Sequence, residues 1–323
     1  MLLVQTTTSR AVDVVYLAPR SADREIVRKE GQVLDATGHS VRLLQANSLV
    51  QTFPTKRVLR IDGQWTAPHR RGNQAMNRGE FAAAINAYRQ ALDRESRPWA
   101  RREILARLVA CQSAIDDIPS AATTFFELLQ SDPFTPHFSE IPLAWQADTA
   151  VPPGRAVRWL ESLEKPVHVL LGASHLLASD HRAAAAKALE RLVTLEDRRL
   201  AMLAEAELWR YQPRPVTVEL IDTWQRRVQE IPTPLRAGPL LIVGRARADH
   251  QQWDQAALAF LQVAILHSHQ PRLAAVATAA AAEMLMRMDQ NEAAQRLLDE
   301  CLQKFGETPS AARARELARR ASE

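Results

Sequence analysis

The sequence is poor in glycine and cysteine, and it has no long apolar run. Ten glycines in 323 residues, beside frequent alanine, leucine, glutamine and arginine, are typical of a helical protein. The two cysteines, Cys111 and Cys301, lie far apart in alanine- or leucine-rich stretches. They make no metal site, and we expect both to be buried small side chains; a disulfide between them is neither supported nor excluded. No apolar run approaches the ~20 residues that span a bilayer.

Lysine is also scarce, so arginine supplies most of the positive charge behind the net value of +4. Most arginines alternate with acids, as between Glu196 and Glu207, which favours a solvated surface of mixed charge over a nucleic-acid surface. The apolar start Met1–Val4 is too short for the core of a signal peptide. Since no export signal is visible, the sequence favours a soluble protein of the cytoplasm. An exported or periplasmic location stays open if the sequence has been trimmed.

The N-terminal part has the pattern of a β domain. Between Val12 and Asp62, apolar and polar residues alternate with period two, and β-branched residues are common. The candidate strands are residues 12–17, 31–36, 40–45, 49–53 and 57–61. Five short strands predict a small all-β domain over residues 1–64, which resembles the SH3-like and Sm-like small barrels in strand number and spacing.

From Trp65 onward, the apolar residues follow the period of a helix, and prolines separate the segments. We therefore predict a helical domain over residues 65–323. Its one long irregular stretch, residues 131–154, is apolar for a loop, so we expect it to pack against the helices. The polar and charged C-terminal residues, about 309–322, suit a helix that caps the domain and faces solvent.

One spacing of small and aromatic residues occurs twice in the helical domain. The first copy comprises Gly72, Ala75, Gly79, Phe81, Ala84, Tyr88 and Ala91. The second comprises Gly244, Trp253, Ala256, Phe260 and Val263, with Gln251 in place of the turn glycine. Both copies resemble the tetratricopeptide repeat, in which small residues lie between paired helices and an aromatic fills the gap to the next repeat.

The resemblance implies a mainly α fold. It implies a right-handed α-solenoid of antiparallel helix pairs, preceded here by the small barrel-like β domain, and stabilised by burial between neighbouring repeats. Weaker copies run from Ala110 to Pro133 and from Ala282 to Cys301, and 170–192 is a degenerate helical pair. Residues 195–231 keep the helical period without the signature.

The sequence carries no strong catalytic motif. It has neither a glycine-rich phosphate loop nor a metal-binding HExxH spacing. The one grouping of histidine, serine and acid, His137 to Glu140, has no glycine elbow and no sign of an oxyanion hole. Trp209, Trp224 and Trp253 fall on apolar helical faces, which favours packing over a stacking platform. We expect a non-enzymatic protein with no cofactor and no metal.

The resemblance also implies where a partner would bind. In tetratricopeptide arrays the first helix of each pair lines a concave groove, and ligand peptides lie across it. The matching groove candidates here are Asn73, Asn77, Arg107, Arg245, Asp249, Glu283 and Arg287. Asparagine and arginine can hold an extended peptide by hydrogen bonds, and ordinary solvated positions are the alternative. The lysines of the family's carboxylate clamp are missing, so recognition of a C-terminal carboxylate is not expected.

We therefore expect a protein–protein interaction scaffold that binds a peptide or protein partner in the groove. The alternative is RNA binding through the basic β domain. That domain carries Arg20, Arg24, Arg28, Lys29, Arg42, Lys56, Arg57 and Arg60. Its only aromatics, Tyr16 and Phe53, both fit strand cores, so the paired aromatics of a base-stacking surface are missing. Partner identity, oligomeric state and the role of the β domain, as a cap or as a second binding module, stay open.

Overall fold

The computed structural model describes residues 12–19, 25–146 and 151–322. Within these residues the chain forms a five-stranded sheet followed by fourteen α-helices. The strands are β1 (Asp13–Leu17), β2 (Val27–Ala36), β3 (Ser40–Leu44), β4 (Val50–Pro54) and β5 (Val58–Asp62). The helices are α1 (Ala67–Asn77), α2 (Phe81–Arg94), α3 (Pro98–Ala114), α4 (Ile118–Ser131), α5 (Pro153–Leu160), α6 (Pro166–Leu176), α7 (Arg182–Val193), α8 (Arg198–Trp209), α9 (Val218–Glu230), α10 (Ala237–Asp249), α11 (Trp253–Leu266), α12 (Pro271–Arg287), α13 (Asn291–Phe305) and α14 (Ser310–Ser322). The predicted class, mainly α with a small β domain, is confirmed.

The sheet is antiparallel, with the strand order β4-β3-β2-β1-β5. Its buried side chains alternate along the strands, as the period-two pattern predicts, and include Val15, Val33 and Leu43. Strand β2 is longer than predicted, because its charged first half, from Val27, pairs with β1. A bulge between Val33 and Asp35 interrupts its pairing with β3.

Four helix pairs share one turn, which places the same structural unit at four positions along the chain. The residue at each turn has a left-handed φ: Gly79, Asp116, Gln251 and Asp289. At the first turn, the main-chain N–H of Gly79 bonds to Met76 and that of Glu80 bonds to Ala75. The same two bonds recur at the other three turns, and they form the Schellman ending of a helix. Asparagine, aspartate and glycine favour this conformation, so Gln251 is the unusual residue of the set.

The repeated small-to-aromatic spacing is a packing contact. A Cβ atom on Gly72 would lie 2.6 Å from Cε1 of Tyr88, and one on Gly244 would lie 2.6 Å from Cε1 of Phe260. Both rings are buried, at 0% and 2% exposed. The absence of a side chain at each glycine therefore lets the second helix of the pair bring its ring against the first helix.

Helices α6, α8, α10 and α12 lie side by side, each in contact with the next. Helix α3 contacts α12 although the two are far apart in the sequence. The first pair also meets the end of the chain, because a Cβ on Gly79 would lie 2.3 Å from the carbonyl oxygen of Lys304, and Ala82 N–H donates to Glu307 at 2.9 Å. A linear array would leave these ends apart, so this long-range packing goes beyond what the repeat pattern predicts.

The sheet packs against the start of α3. Trp99 is buried beneath it and donates from Nε1 to the carbonyl oxygen of Val33 at 3.1 Å. Asp13, on β1, accepts the N–H groups of Val33 and Gln64 at 2.9 and 3.0 Å. These bonds join the strand to the segment that leads into α1. In the described residues, no helix has both the length and the apolar character needed to cross a bilayer.

Candidate functional site

The residues Ile141–Gln146, here called the inner segment, lie across α6, α8, α10 and α12. Its residues belong to no helix or strand, and the N–H of Leu143 bonds to the carbonyl oxygen of Ile141 within it at 2.8 Å. Leu143, Ala144 and Trp145 are almost completely buried, at 2%, 1% and 4% exposed. The sequence predicts that residues 131–154 pack against the helices, and within the described part of that stretch these three residues lie buried against them. Phe134, earlier in the same stretch, is instead 53% exposed and rests beside His39.

The helices hold the inner segment through its main chain. Ser174 on α6 accepts the N–H of Ala144 at 2.8 Å, and the next residue, His175, bonds through Nε2 to the carbonyl oxygen of Pro142 at 2.9 Å. Three arginines donate to further carbonyl oxygens: Arg272 to Leu143, Arg245 to Trp145, and Arg210 to Gln146. Each of these main-chain groups would be costly to bury without a partner. The surface of these helices that faces the inner segment, here called the inner surface, therefore binds a stretch of irregular polypeptide through its main chain.

Trp145 fixes the position of the inner segment against α10. Its ring fills the space above Gly238, where a Cβ atom would lie 2.0 Å from the indole Cε2. Its backbone has φ of 49°, a conformation that is unfavourable for a bulky side chain. The close fit of the ring and the bond from Arg245 offset that cost.

Beyond the inner segment, the inner surface forms a pocket of about 940 Å³. The pocket is lined by residues of α10, α11, α12 and the start of α14 and by residues that follow α6 and α8, with Gln146 of the inner segment among them. Its charged lining, which defines it as the arginine pocket, consists of Arg210, Arg214, Arg245, Arg272, Arg287, Arg313, Asp116, Asp249 and Glu283. A volume of this size is typical of ligand-binding clefts.

Three arginines of the pocket are paired with its three acids. Arg214 lies 2.7 Å from Asp249, Arg272 lies 3.1 Å from Asp116, and Arg313 lies 3.1 Å from Glu283. Arg210 forms an ion pair with Glu207, a fully buried residue behind the pocket wall. The acids of the pocket are therefore already engaged.

Arg245 and Arg287 differ from these. Among the described residues neither forms an ion pair with a carboxylate. Arg245 is bound to the carbonyl oxygen of Trp145, and the guanidinium of Arg287 lies 5.8 Å from the centre of the Trp253 ring. Burial, together with the nearby cations Arg210 and Arg214, lowers the pKa of Arg245 to about 10. The cationic form of Arg245 is thus destabilised by its surroundings, and a bound anion would relieve this.

The structure brings four of the seven predicted groove residues together. Arg245, Asp249, Glu283 and Arg287 all line the arginine pocket. The other three lie elsewhere, on α1 and α3. Asn73 accepts the hydroxyl of Tyr88 at 2.6 Å, Asn77 is exposed at the end of α1, and Arg107 forms an ion pair with Glu103 at 2.9 Å.

Arg107 belongs to a second group of charged residues, beside α3. Nε2 of His137 lies 3.3 Å from Glu103, and the same carboxylate receives the bond from Arg107. Burial raises the pKa of Glu140 to about 8, so its carboxyl is largely protonated at neutral pH. The partner of His137 is therefore Glu103, on α3, rather than the neighbouring Ser139 or Glu140.

Sequence reasoning missed four pocket arginines, Arg210, Arg214, Arg272 and Arg313. Arg210 and Arg214 follow α8, in the part of the chain that lost the repeat signature, and Arg313 belongs to the helix expected only to cap the domain. One signal was available in the sequence. The cations fall near the ends of helices that the array would place side by side, and arginines at such positions can converge even when their sequence separation is large.

Some of the basic residues of the β domain already form ion pairs with neighbouring acids. Arg28 pairs with Glu30 at 2.8 Å and Arg60 with Asp62 at 2.9 Å, while Arg20 and Arg24 lie outside the described residues. Tyr16, expected in a strand core, instead lies on the face opposite Val15 and is only partly buried. There the guanidinium of Arg60 covers its ring, 4.4 Å from the centre.

Comparison of the sequence with models of known protein families gives no match, and comparison with curated proteins gives none either.

Proposed function

We propose that this protein is a non-enzymatic interaction scaffold that binds an extended segment of a protein partner on its inner surface, in the arginine pocket. The proposal rests on one observation above all. The inner surface already holds five consecutive residues of irregular chain, from Pro142 to Gln146, by their main-chain groups, and Gln146 also lines the pocket. A surface that satisfies main-chain carbonyls with arginines suits a second stretch of chain.

The architecture supports the same proposal. Four helix pairs with a common turn, and two pairs with the same glycine-to-aromatic contact, are what a tetratricopeptide-like solenoid of antiparallel helix pairs would have. Arrays of this kind present long binding surfaces built from many helices. The resemblance therefore supports protein binding as the activity, and the arginine pocket is the place where we propose that the partner binds.

A catalytic role has less support. His137 and Glu140, the pair considered for it, lie beside α3, and His137 is engaged with Glu103. The RNA-binding alternative has less support too, because Arg60 covers the ring of Tyr16, one of the two β-domain aromatics. A stacking surface needs exposed ring faces.

Steric blocking of the pocket tests the proposal without assuming the charge of the partner. Ala280 lines the pocket, and Ala280→Trp would fill part of it. Ala183, exposed on α7, offers the matched control Ala183→Trp. Proteins captured from a lysate of the source cells would be quantified by mass spectrometry for the wild type and both variants. We expect at least one protein to be retained by the wild type and Ala183→Trp and lost from Ala280→Trp; identical capture by all three would contradict the proposal.

A further inference from the structure

We infer that the partner segment recognised by the arginine pocket is acidic, with carboxylate side chains that pair with Arg245 and Arg287 and an apolar side chain that packs on α12. This inference rests on the proposed function, because it assigns a chemical character to the partner of the same site. It is argued from charge, from the apolar lining and from the spacing of the arginines.

The charge of the pocket is unbalanced. Among the described residues, six arginines and three carboxylates line it, and Glu207 behind the wall pairs with Arg210. Two arginines, Arg245 and Arg287, are left without a carboxylate partner in this part of the chain. Each carboxylate is within 3.1 Å of an arginine partner. An incoming anion would therefore find the acids of the pocket neutralised, and Arg245 and Arg287 would be the guanidiniums without a carboxylate to compete for it. Charge-assisted bonds of this kind are stronger than those between neutral groups.

Arg245 and Arg287 are the two cations best placed to receive carboxylates. Arg245 uses Nη1 for the bond to Trp145, and a guanidinium has five N–H donors. Arg287 lies on α12, which contacts α10, and is exposed. Its position over Trp253 holds the guanidinium at the pocket edge. One cation lies deep in the pocket and the other at its rim, so two acidic groups along one segment could be bound together.

The remaining lining is apolar. Val276, Ala279, Ala280 and Met284 form a stripe along α12, in which Val276 and Ala280 are partly exposed and the other two are buried. Ala178, just beyond the end of α6, is exposed and lines the same pocket. An apolar side chain of the ligand would bury against this stripe. A ligand with charge alone would leave it uncovered, so the chemistry favours an acidic segment that also carries a leucine-like residue.

Polypeptide fits this surface better than nucleic acid does. Arg272, Arg245 and Arg210 bind main-chain carbonyl oxygens of residues 143, 145 and 146, so the guanidiniums of this surface already recognise polypeptide backbone. The one tryptophan that lines the pocket, Trp253, already has a cation over its ring. Base stacking would require that ring face to be open.

Peptide binding by fluorescence anisotropy tests the inference. The probes are a short fluorescein-labelled peptide of alternating glutamate and leucine, the same peptide with glutamine for glutamate, and a labelled single-stranded RNA of equal length. The proteins are the full wild-type chain, Arg245→Gln/Arg287→Gln, and the charge-matched control Arg89→Gln/Arg94→Gln on the outer side of α2, where both arginines are exposed. Arg287→Gln alone is included because an exposed position leaves folding intact, and circular dichroism checks all variants.

We expect the acidic peptide to bind the wild type and the control with equal affinity. The pocket double variant, and the glutamine peptide on the wild type, should each bind about tenfold more weakly or worse, and Arg287→Gln should lie between. Equal binding of the two peptides, an equal loss in the control, failure of the acidic peptide to bind, or pocket-dependent binding of RNA would each overturn the inference. If Ala280→Trp still abolishes capture of a partner, the scaffold function stands and only the acidic character is wrong; if capture is also unaffected, the proposed function itself fails.

Discussion

Arg245 donates a hydrogen bond from Nη1 to the main-chain oxygen of Trp145, 100 positions earlier in the chain. This bond joins α10 to the inner segment and places the guanidinium at the wall of the arginine pocket. The same side chain therefore has two roles. It holds a segment of its own chain, and in the proposed function its remaining N–H groups bind the partner.

Ser174 should control how firmly the inner segment is held. Its hydroxyl accepts the N–H of Ala144 at 2.8 Å and donates to the buried Glu207 at 2.7 Å. Ser174→Ala would leave the N–H of Ala144 without its acceptor and would remove one of the bonds to Glu207, which keeps its ion pair with Arg210. We expect a loss of about 1–3 kcal/mol in the free energy of unfolding. Hydrogen exchange should become faster at residues 143–146, and Ser179→Ala, at a partly buried turn, is the comparison. Unchanged exchange in the segment would show that Ser174 does not hold it.

The glycine-to-aromatic contacts should be intolerant of a methyl group. Gly72→Ala and Gly244→Ala each place a Cβ 2.6 Å from a buried ring, so the ring or the helix must move. We expect each to lose about 1–3 kcal/mol in urea unfolding. The control is Gly154→Ala, where the nearest atom is 4.0 Å away and a small gain in stability is expected. Wild-type stability in both contact variants would mean that the packing does not depend on the glycines.

Both cysteines should be inert in the folded protein. Cys111 and Cys301 are free and buried, and burial raises their thiol pKa values to about 12 and about 11. We expect neither thiol to react with an aromatic disulfide reagent near neutral pH, because the thiolate is the reactive form. Both should react once guanidinium chloride unfolds the chain. Rapid labelling of the native protein, or no thiol in the unfolded one, would contradict the buried free thiols.

Stability should fall as the pH drops below neutral. Burial lowers the pKa of His69 and His267 to about 4 and that of His175 to about 3. The unfolded chain binds these protons near its ordinary pKa of about 6.5. The contribution of each histidine is therefore fully present above that pH and is lost as the pH falls toward the folded value. Between about pH 7 and about pH 5 we expect a loss on the order of 1–2 kcal/mol per histidine in urea unfolding.

Two variants separate this effect from general acid destabilisation. His267 is buried, and neither of its ring nitrogens has a hydrogen-bond partner among the described residues. His267→Leu should make the decline with falling pH shallower by one histidine's contribution. His181→Leu, at an exposed position, should leave the decline as in the wild type. Equal slopes in all three proteins would exclude His267 as a source of the pH dependence.

The sequence predicted those parts of the fold that depend on local spacing. The intervals from Gly72 to Tyr88 and from Gly244 to Phe260 indicated paired helices, because a glycine and an aromatic on facing helices are a local contact. The alternation through Val15 and Val33 likewise placed the strands. The long β2 strand was only half predicted, since its first residues are charged and lack the apolar alternation on which the prediction relied.

The sequence could not predict contacts between distant repeats. Spacing within a helix pair says nothing about whether α3 meets α12, or whether the turn at Gly79 meets Lys304. The pocket depends on such contacts, because Arg245 and Arg272 lie on α10 and α12, Arg210 follows α8, and all three bond to the inner segment. The four predicted residues in the pocket were found through the repeat position they share, whereas α8 carries no repeat signature to identify Arg210.

Photo-crosslinking is the most direct test of partner binding on the inner surface. A benzophenone amino acid would be placed at Val276, which lines the arginine pocket, and, as control, at Ala183, which is exposed on α7. After irradiation in a lysate of the source cells, the crosslinked peptides would be sequenced by mass spectrometry. We expect position 276 to yield adducts with one defined segment of a partner protein and position 183 to yield none of them. The same adducts from both positions, or none from position 276, would contradict a partner-binding site on the inner surface.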